Sequence, residues 1–453
     1  MSSEIPQQTF DYVIVGTGPG GAGAARELAR AGRSVCMVER GVRHEKHLGF
    51  PFGARILEGM GMGSRSEEGV YIGRGITVGG SSFVYNGNVY DPPEKLVAAM
   101  DLDMRPEALE LKREIGVRTM PARFYANATG GRRVREAAER MGLSFVEQEK
   151  FIDPSLCEEG CDWCMFGCPR DAKFTTRRFV DDAVRHGATL LDNTAVDHVA
   201  FDKGLAAGVV TNKGAVIRGD NVILAAGGVG TPRLLMRSGV TGVGGNFFMD
   251  PMDLVVGMAR DDEGGAHGEM SFTHAIESFR ESDHFIISNL SSPWSMLPAL
   301  LRSNVAKKMG PRAANWKRAV GLFVKLGDSP HGKVNADSIT KPFTDEDERR
   351  MGKATDLCRE MLERAGVDRQ TITVARSIGG HPGGTVAMGG VVDTSFRCGR
   401  DNLFVCDGSV LPESPGVPPS LTIMAMSRLL GRMLLGEVEP MERKYAQSSV
   451  AAA

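Results

Sequence analysis

No run of 18 or more apolar residues occurs anywhere in the 453-residue sequence, so a simple membrane-spanning helix is not its organising element. Net charge is nearly absent. The 54 lysines and arginines against 56 aspartates and glutamates leave −2, and nothing in that balance draws the chain to nucleic acid or to an acidic membrane surface. The first ten residues, Met1 to Phe10, lack the charged-then-apolar pattern of a secretory signal. A strand pattern begins at once after them, and the expectation is a cytoplasmic protein. What is present is a globular composition, 42% hydrophobic and 24% charged, over a length that holds two or three domains or one large enzyme with a cap.

The stretch from Asp11 to Gly41 carries the clearest signal. An apolar run ends at Val15, and Gly16-Thr17-Gly18-Pro19-Gly20-Gly21 follows. A helical segment then runs to Arg30, and a second apolar run, Val35 to Val38, ends at Glu39. Gly16, Gly18 and Gly21 fill the three positions of a dinucleotide fingerprint. Gly16 suits the sharp turn, Gly18 the close approach of a pyrophosphate, and Gly21 the close packing of helix on sheet. The helix start offers free N–H groups and a positive dipole end to phosphate. Glu39 stands where an acid receives ribose hydroxyls, and its charge argues against a ribose phosphate and hence against NADP. The motif alone does not separate FAD from NAD.

Eight cysteines are present, and four fall within twelve residues: Cys157, Cys161, Cys164 and Cys168. Their spacing is C-x3-C-x2-C-x3-C followed by Pro169, and its last part matches a ferredoxin-like ending. In a cytosolic chain such clustering reads as metal binding or redox chemistry. Three readings stay open: an iron–sulfur cluster, placed first, a tetrahedral zinc, and free or disulfide-bonded thiols.

A second glycine-rich stretch runs from Gly73 to Ser82, and Gly75, Gly79, Gly80, Ser81 and Ser82 in it let backbone lie against a flat ligand. Val78-Gly79-Gly80-Ser81-Ser82 with Asn86-Gly87 resembles the flavin loop of the glucose–methanol–choline oxidoreductases. The resemblance returns at Asn221 to Gly228, at His381-Pro382-Gly383-Gly384-Thr385-Val386-Ala387-Met388-Gly389, at Asp407-Gly408-Ser409, and at Ser420-Leu421-Thr422. It spans nearly the whole chain in the family's order. It implies an α/β fold: a Rossmann-like FAD-binding domain, and a substrate or cap domain built on an antiparallel sheet with helices. The expected division gives 1–100, 170–250 and 371–440 to the FAD domain. It gives 101–169 and 251–370 to the substrate domain and leaves 441–453 as a flexible tail.

The resemblance also implies FAD, held without a covalent bond, since no histidine or cysteine lies between Val70 and Pro92 where some relatives attach flavin. The implied cofactor contacts are Gly16, Gly18, Pro19, Gly20, Gly21, Glu39, Arg40, Gly75, Gly79, Gly80, Ser81, Ser82, Asn86, Gly87, Val196, Ala226, Gly227, Asp407, Gly408, Ser420, Leu421 and Thr422. Asn86 sits one residue later than the family's asparagine. His381 takes the place of the catalytic histidine, the base that accepts a hydroxyl proton as hydride leaves carbon. The polar partner expected eleven residues after Asp407 is replaced by Pro418, so a partner comes from elsewhere or the reaction differs.

The resulting expectation is an FAD-dependent dehydrogenase oxidising a CH–OH group. It passes electrons to a protein or quinone acceptor, through an iron–sulfur cluster if the cysteines hold one. Two alternatives stand beside it: C–H or C–C oxidation of an apolar substrate, and an electron-transfer subunit without a substrate. Gly130-Gly131 is expected to break a helix. Leu254 to Met258 and Val320 to Leu326 are expected as strands of the substrate domain, and Asp345 to Ala365 as a helix with an acidic first turn. Trp294 to Met309 is expected to be a cap helix over the substrate pocket. His44 and His47 are expected at the surface.

Overall fold

The computed structural model describes residues 7–44, 56–58, 64–126, 128–161, 163–261, 269–290 and 317–439. The expected cap helix at Trp294 to Met309, His47 and the tail 441–453 lie outside the described residues. The first apolar run forms β1, Phe10–Val15, and the second forms β2, Val35–Val38. They lie parallel, with Tyr12 opposite Val35 and Val15 opposite Val38. Between them runs α1, Pro19–Arg30. Both strands are apolar at nearly every position because the sheet is covered on both faces. β3, Thr189–Leu191, extends it beyond β2, and α2, Arg177–Arg185, leads into β3.

On the other side of β1, three strands form a meander: β4, Val196–Asp202, β5, Leu205–Thr211, and β6, Val216–Leu224. They pair antiparallel, as their alternating apolar residues predict. β6 then continues parallel to β1, with Val15 opposite Leu224. It ends at Ala225-Ala226, where α3, Gly227–Arg237, begins.

A second seven-stranded sheet holds β7, Pro251–Met258, β8, His274–Ile276, β9, Phe285–Leu290, β10, Ala319–Leu326, and β11, Thr373–Gly379. Their order is β11-β7-β10-β9-β8, edged by the short strands Tyr71–Ile72 and Val146–Glu147. The five pair antiparallel with one another, as does Val146–Glu147 with β8. Tyr71–Ile72 joins β11 in parallel. One face carries α4, Asp345–Arg364, and the helix Thr129–Arg140. Val134, Ala138, Met351, Cys358, Met361 and Leu362 pack there with Val255, Leu322 and Val324. α4 starts as its acids predict: the Thr344 side chain accepts from the Asp347 N–H and Asp347 returns the bond, a capping box. β12, Leu403–Val405, brings the chain back beside β6. α5, Ser420–Leu434, then packs against α1 so closely that a β-carbon on Gly23 would stand 1.9 Å from Ser427 Oγ.

The fold is therefore a Rossmann-like FAD-binding unit joined to a domain on an antiparallel sheet. β11 was placed with the first unit on sequence, and it hydrogen-bonds in the second sheet. Gly130 and Gly131 do not break a helix. They form the first turn of Thr129–Arg140, because the buried Glu269 carboxylate occupies the space beside them, 1.9 Å from where a Gly131 β-carbon would be.

Candidate active site and cofactor cradle

Three glycines of the first loop, Gly16, Gly20 and Gly21, sit where atoms leave room for nothing larger. Gly16 has φ +99°, and a β-carbon on it would meet Ala225 O at 2.3 Å. Gly20 and Gly21 are equally closed, at 1.8 Å from Cys406 O and 1.9 Å from Gly16 O. Gly18 differs: its added β-carbon would come no nearer than 4.0 Å, to the α-carbon of Gly80. The second glycine loop packs against the first at the start of α1, where a β-carbon on Gly80 would stand 2.7 Å from the α-carbon of Gly18. No side chain caps that helix and no acid stands in its first turn, so its N-terminal amides and dipole favour an external anion.

The second loop is pinned to the first. Gly79 N–H donates to Thr17 Oγ1 at 3.2 Å, and Gly79 and Gly80 take φ +91° and +54°. Ser82 Oγ donates to Gly79 O at 2.6 Å and lies 3.0 Å from Thr176 Oγ1, while Ser81 Oγ accepts from Gly75 N–H at 3.0 Å. The two serines therefore shape the loop itself.

Glu39 is 7% exposed, and its carboxylate accepts from Thr17 N–H and Thr17 Oγ1, both at 2.9 Å, and from Gly41 N–H at 2.8 Å. Burial pushes its proton affinity up, against those bonds. The acid ties the glycine turn to the end of β2, and Arg40 follows it on the exposed side. We expect Glu39→Ala to weaken FAD binding by about 1.5–3 kcal/mol, through loss of the turn as well as of the acid. The FAD dissociation constant of the refolded variant checks this, and an unchanged constant would remove Glu39 from the cradle.

Three further segments meet beside the loops. Asp407 Oδ2 accepts from Gly227 N–H at 2.8 Å and from Thr231 Oγ1 at 2.6 Å, and Oδ1 accepts from Ser409 N–H at 2.7 Å. Its carboxylate is thus engaged in joining the start of α3, after Ala226, to the turn at Gly408. Gly384 N–H donates to Gly408 O at 3.1 Å, and Thr385 Oγ1 donates to Gly228 O at 2.8 Å. The segment after His381 lies directly over Gly227-Gly228 and Asp407-Gly408. Leu421 and Thr422, in the first turn of α5 behind Ser420, are buried. Val196, at the bulged start of β4, is half-buried. Asn86 offers its carbonyl to Lys150 Nζ at 3.2 Å, and Gly87 its carbonyl to Phe151 N–H at 2.6 Å. His44 is half-buried, and its carbonyl accepts from Arg177 Nη1 at 2.7 Å.

His381 follows β11, and its N–H donates to Met249 O at 3.0 Å. The imidazole is a quarter exposed, and its Nδ1 lies 3.1 Å from Oδ2 of Asp250. Asp250 has no exposed side-chain surface, and the same Oδ2 lies 2.9 Å from Lys325 Nζ on β10. Ser414 Oγ donates to Oδ1. Burial, then the charge of Lys325, lowers the His381 proton affinity to a pKa of about 4, against the pull of Asp250. Lys325 is itself lowered to about 8 by burial. Lys325 holds Asp250 below the ordinary carboxylate range, outweighing together with its other partners a burial effect of opposite sign. Behind this group, the Asp328 carboxylate accepts from Asp250 N–H at 2.8 Å and pairs with Lys341 Nζ at 2.9 Å.

The four clustered cysteines are half-buried, and none is disulfide-bonded. They share one neighbourhood: after burial, the other three thiols push Cys157 up to about 12. Cys157, Cys164 and Cys168 pack with Ile152 and Ala172. Lys150 and Lys173, both buried, stand beside them. Their ammonium groups meet neutral oxygens. Lys150 donates to Asn88 Oδ1 at 2.9 Å and Ser271 O at 3.0 Å, and Lys173 to Phe83 O at 2.9 Å and Tyr85 O at 2.8 Å. The donor set suits a metal, yet among the described residues no group of three or more His, Cys, Asp or Glu is placed to hold one ion. This arrangement lends the expected metal centre no support.

The glycine cradle fits FAD: two glycine loops in contact at Gly18 and Gly80, an uncapped helix start and a buried acid lie together, and the quarter-exposed imidazole of His381 precedes the segment that lies over the turn beside them. Fold and site together define a flavin-dependent oxidoreductase. The N-terminal GMC oxidoreductase profile matches residues 53–252 and the C-terminal profile matches 324–427, so the chain belongs to the GMC oxidoreductase family. An uncharacterised protein of Methanocaldococcus jannaschii is 26% identical over 94% of this chain and all of that one. A long-chain-alcohol oxidase of Arabidopsis thaliana is 23% identical over 98% of this chain and 70% of its own length. Among solved structures, pyridoxine 4-oxidase from Mesorbium loti superposes with a TM-score of 0.69 at 18% identity, covering 94% of this chain and 99% of that one. A formate oxidase of Aspergillus oryzae gives 0.67 at 16% identity, covering 95% and 98%. Among the described residues no helix is long and apolar enough to cross a membrane.

Proposed function

We propose that this protein is an FAD-dependent dehydrogenase that oxidises a CH–OH group, with His381 as the base. The observation that carries the reading is the imidazole fixed through Nδ1 by a buried carboxylate, which leaves Nε2 as its accepting atom on the exposed side. The oxidase names of the alcohol and pyridoxine relatives support a CH–OH donor. FAD, when bound, supplies the hydride acceptor. His381 takes the hydroxyl proton at Nε2, Asp250 holds the ring in one tautomer, and the glycine loops exclude water from the cofactor side. The flavin-cradle segments bind and orient, and none of their side chains moves a proton. The test is anaerobic flavin reduction by a panel of primary and secondary alcohols. Acceptance of electrons by oxygen would make the enzyme an oxidase instead.

The flavin is held without a covalent bond in this reading, since no histidine or cysteine lies between Val70 and Pro92. Acid precipitation is then expected to release all the yellow colour as FAD, and colour left on the precipitated chain would contradict it. The formate oxidase of Aspergillus oryzae is known with a modified FAD, so the measurement separates two real cases.

A second reading concerns the electron exit. Two buried ammonium groups without a carboxylate in ion-pair range among the described residues call for negative charge beside them, and four thiolates would supply it. A four-cysteine centre, iron–sulfur before zinc, is the form that reading takes. It requires the thiols to close around one point, and no catalytic step depends on it. Protein purified without oxygen is expected to carry iron and sulfide in fixed ratio to FAD, and each Cys→Ser change to lower both. Stoichiometric FAD with neither iron, sulfide nor zinc would leave the cysteines as plain thiols and the acceptor to a direct route.

A further inference from the structure

The pair behind His381 is built from distant parts of the chain and is unusually costly. Asp250 adopts φ +48°, a left-handed conformation that a residue with a β-carbon enters at a cost. It stands at the head of β7, where the pairing of β7 with β11 shifts register between Met252 and Asp253. That irregularity turns the start of the strand. Lys325 reaches the same carboxylate from β10, where it is opposite Met252 in an otherwise apolar strand. Both side chains are essentially out of solvent. Burying two charges is expensive unless the geometry satisfies them. Here Asp250 has three partners, the Lys325 ammonium as an ion pair and His381 Nδ1 and Ser414 Oγ through hydrogen bonds. A pair of this kind that served packing alone would have no reason to end on an imidazole that is a quarter exposed.

We propose that Asp250 and Lys325 are positioning residues: the carboxylate fixes the imidazole through Nδ1, and the ammonium offsets the carboxylate's charge, so that His381 rests neutral with Nε2 unprotonated. A lone buried carboxylate behind the ring would draw a proton onto it and spoil the base. The ammonium prevents this while leaving the orienting hydrogen bond in place. It thereby supplies, from the buried side, the polar partner that Pro418 does not. The inference rests on His381 as the base, and the remaining charged groups near it are the Asp328–Lys341 pair behind Asp250 and Arg280, whose charge acts on Lys325. Asp328 and Lys341 oppose each other at 2.9 Å, so Lys325 is the charge that decides.

The test reads the ring itself and needs no substrate. Full-length FAD-loaded protein is labelled with ¹⁵N-histidine, and His381 is identified by the signals lost in His381→Ala. Long-range ¹H–¹⁵N spectra across pH then give its tautomer and titration. The expected wild-type result is an Nδ1–H tautomer, titrating far below the ordinary histidine range. Lys325→Met is expected to raise that titration by about one unit or more, the size of one neighbouring charge, and Lys325→Arg to leave it close to wild type. An Nε2–H tautomer, or an ordinary titration in the wild type, overturns the proposal even if Lys325→Met fails to fold. A His381→Ala enzyme that still reduces its flavin would instead sink the proton-accepting role and leave the positioning result intact.

Discussion

Replacing His381 by alanine is expected to slow anaerobic flavin reduction by roughly 10²–10⁴-fold, the contribution of a positioned general base. FAD content should stay at wild-type level. The segment after His381 stands over Gly227-Gly228 and Asp407-Gly408, and none of the hydrogen bonds described for the cradle ends on the imidazole. The wild-type pH dependence carries a second sign. A base must be unprotonated to act. His381 is held near 4 by burial and by Lys325, so the acid limb of kcat/KM should fall near pH 4 and not near the ordinary histidine value. Stopped-flow reduction across pH checks both. A variant within about threefold of wild type would move the chemistry away from His381 and toward the C–H oxidation reading.

Lys341→Met is expected to destabilise the protein strongly, by about 3–5 kcal/mol, because it leaves the Asp328 carboxylate buried without its counter-charge. Neither side chain of that pair has exposed surface. Burial already raises Asp328 to about 6 even with Lys341 beside it, so the carboxylate is marginal as an anion. The sign with pH follows. An acid whose folded pKa is raised binds its proton more tightly in the native state, and stability falls as pH rises through that range. Without Lys341 the folded pKa of Asp328 moves further up. The loss should therefore be largest at pH 8 and shrink below about 6, where the carboxyl can be neutral. Asp328→Asn combined with Lys341→Met should recover much of the loss, since it removes both charges together. Denaturant midpoints at two pH values measure this. The effect matters for the site because Asp328 accepts the N–H groups of Met249 and Asp250 and so holds the segment that carries His381's partner.

Much of this was legible from the chain alone, and for physical reasons. The glycine loop is readable because its spacing is local, although the backbone atoms that a β-carbon on Gly16 or Gly20 would strike belong to distant Ala225 and Cys406. The acids at Asp345 to Glu348 announced the start of α4, and alternation announced β4 to β6. His381 stood in a recognisable local pattern. What the sequence did not disclose is the group built by long-range contact. Asp250 and His381 are 131 residues apart, and no local rule joins them. One signal was available: Lys325 interrupts an apolar strand, Ala-Val-Gly-Leu-Phe-Val-Lys-Leu, and a lysine in a buried strand needs a buried partner. Gly130-Gly131 misled because glycine costs a helix about 1 kcal/mol in isolation, while here only glycine leaves room for the Glu269 carboxylate.

The most direct test of the central claim is anaerobic mixing of the purified flavoprotein with alcohols in the absence of any partner protein. The account predicts that at least one primary or secondary alcohol bleaches the flavin absorbance, with one carbonyl product formed per flavin. Deuterium on the carbinol carbon should slow the step. A flavin that no alcohol reduces, yet that accepts electrons readily from a reduced protein or quinol, would contradict it and make the chain an electron carrier.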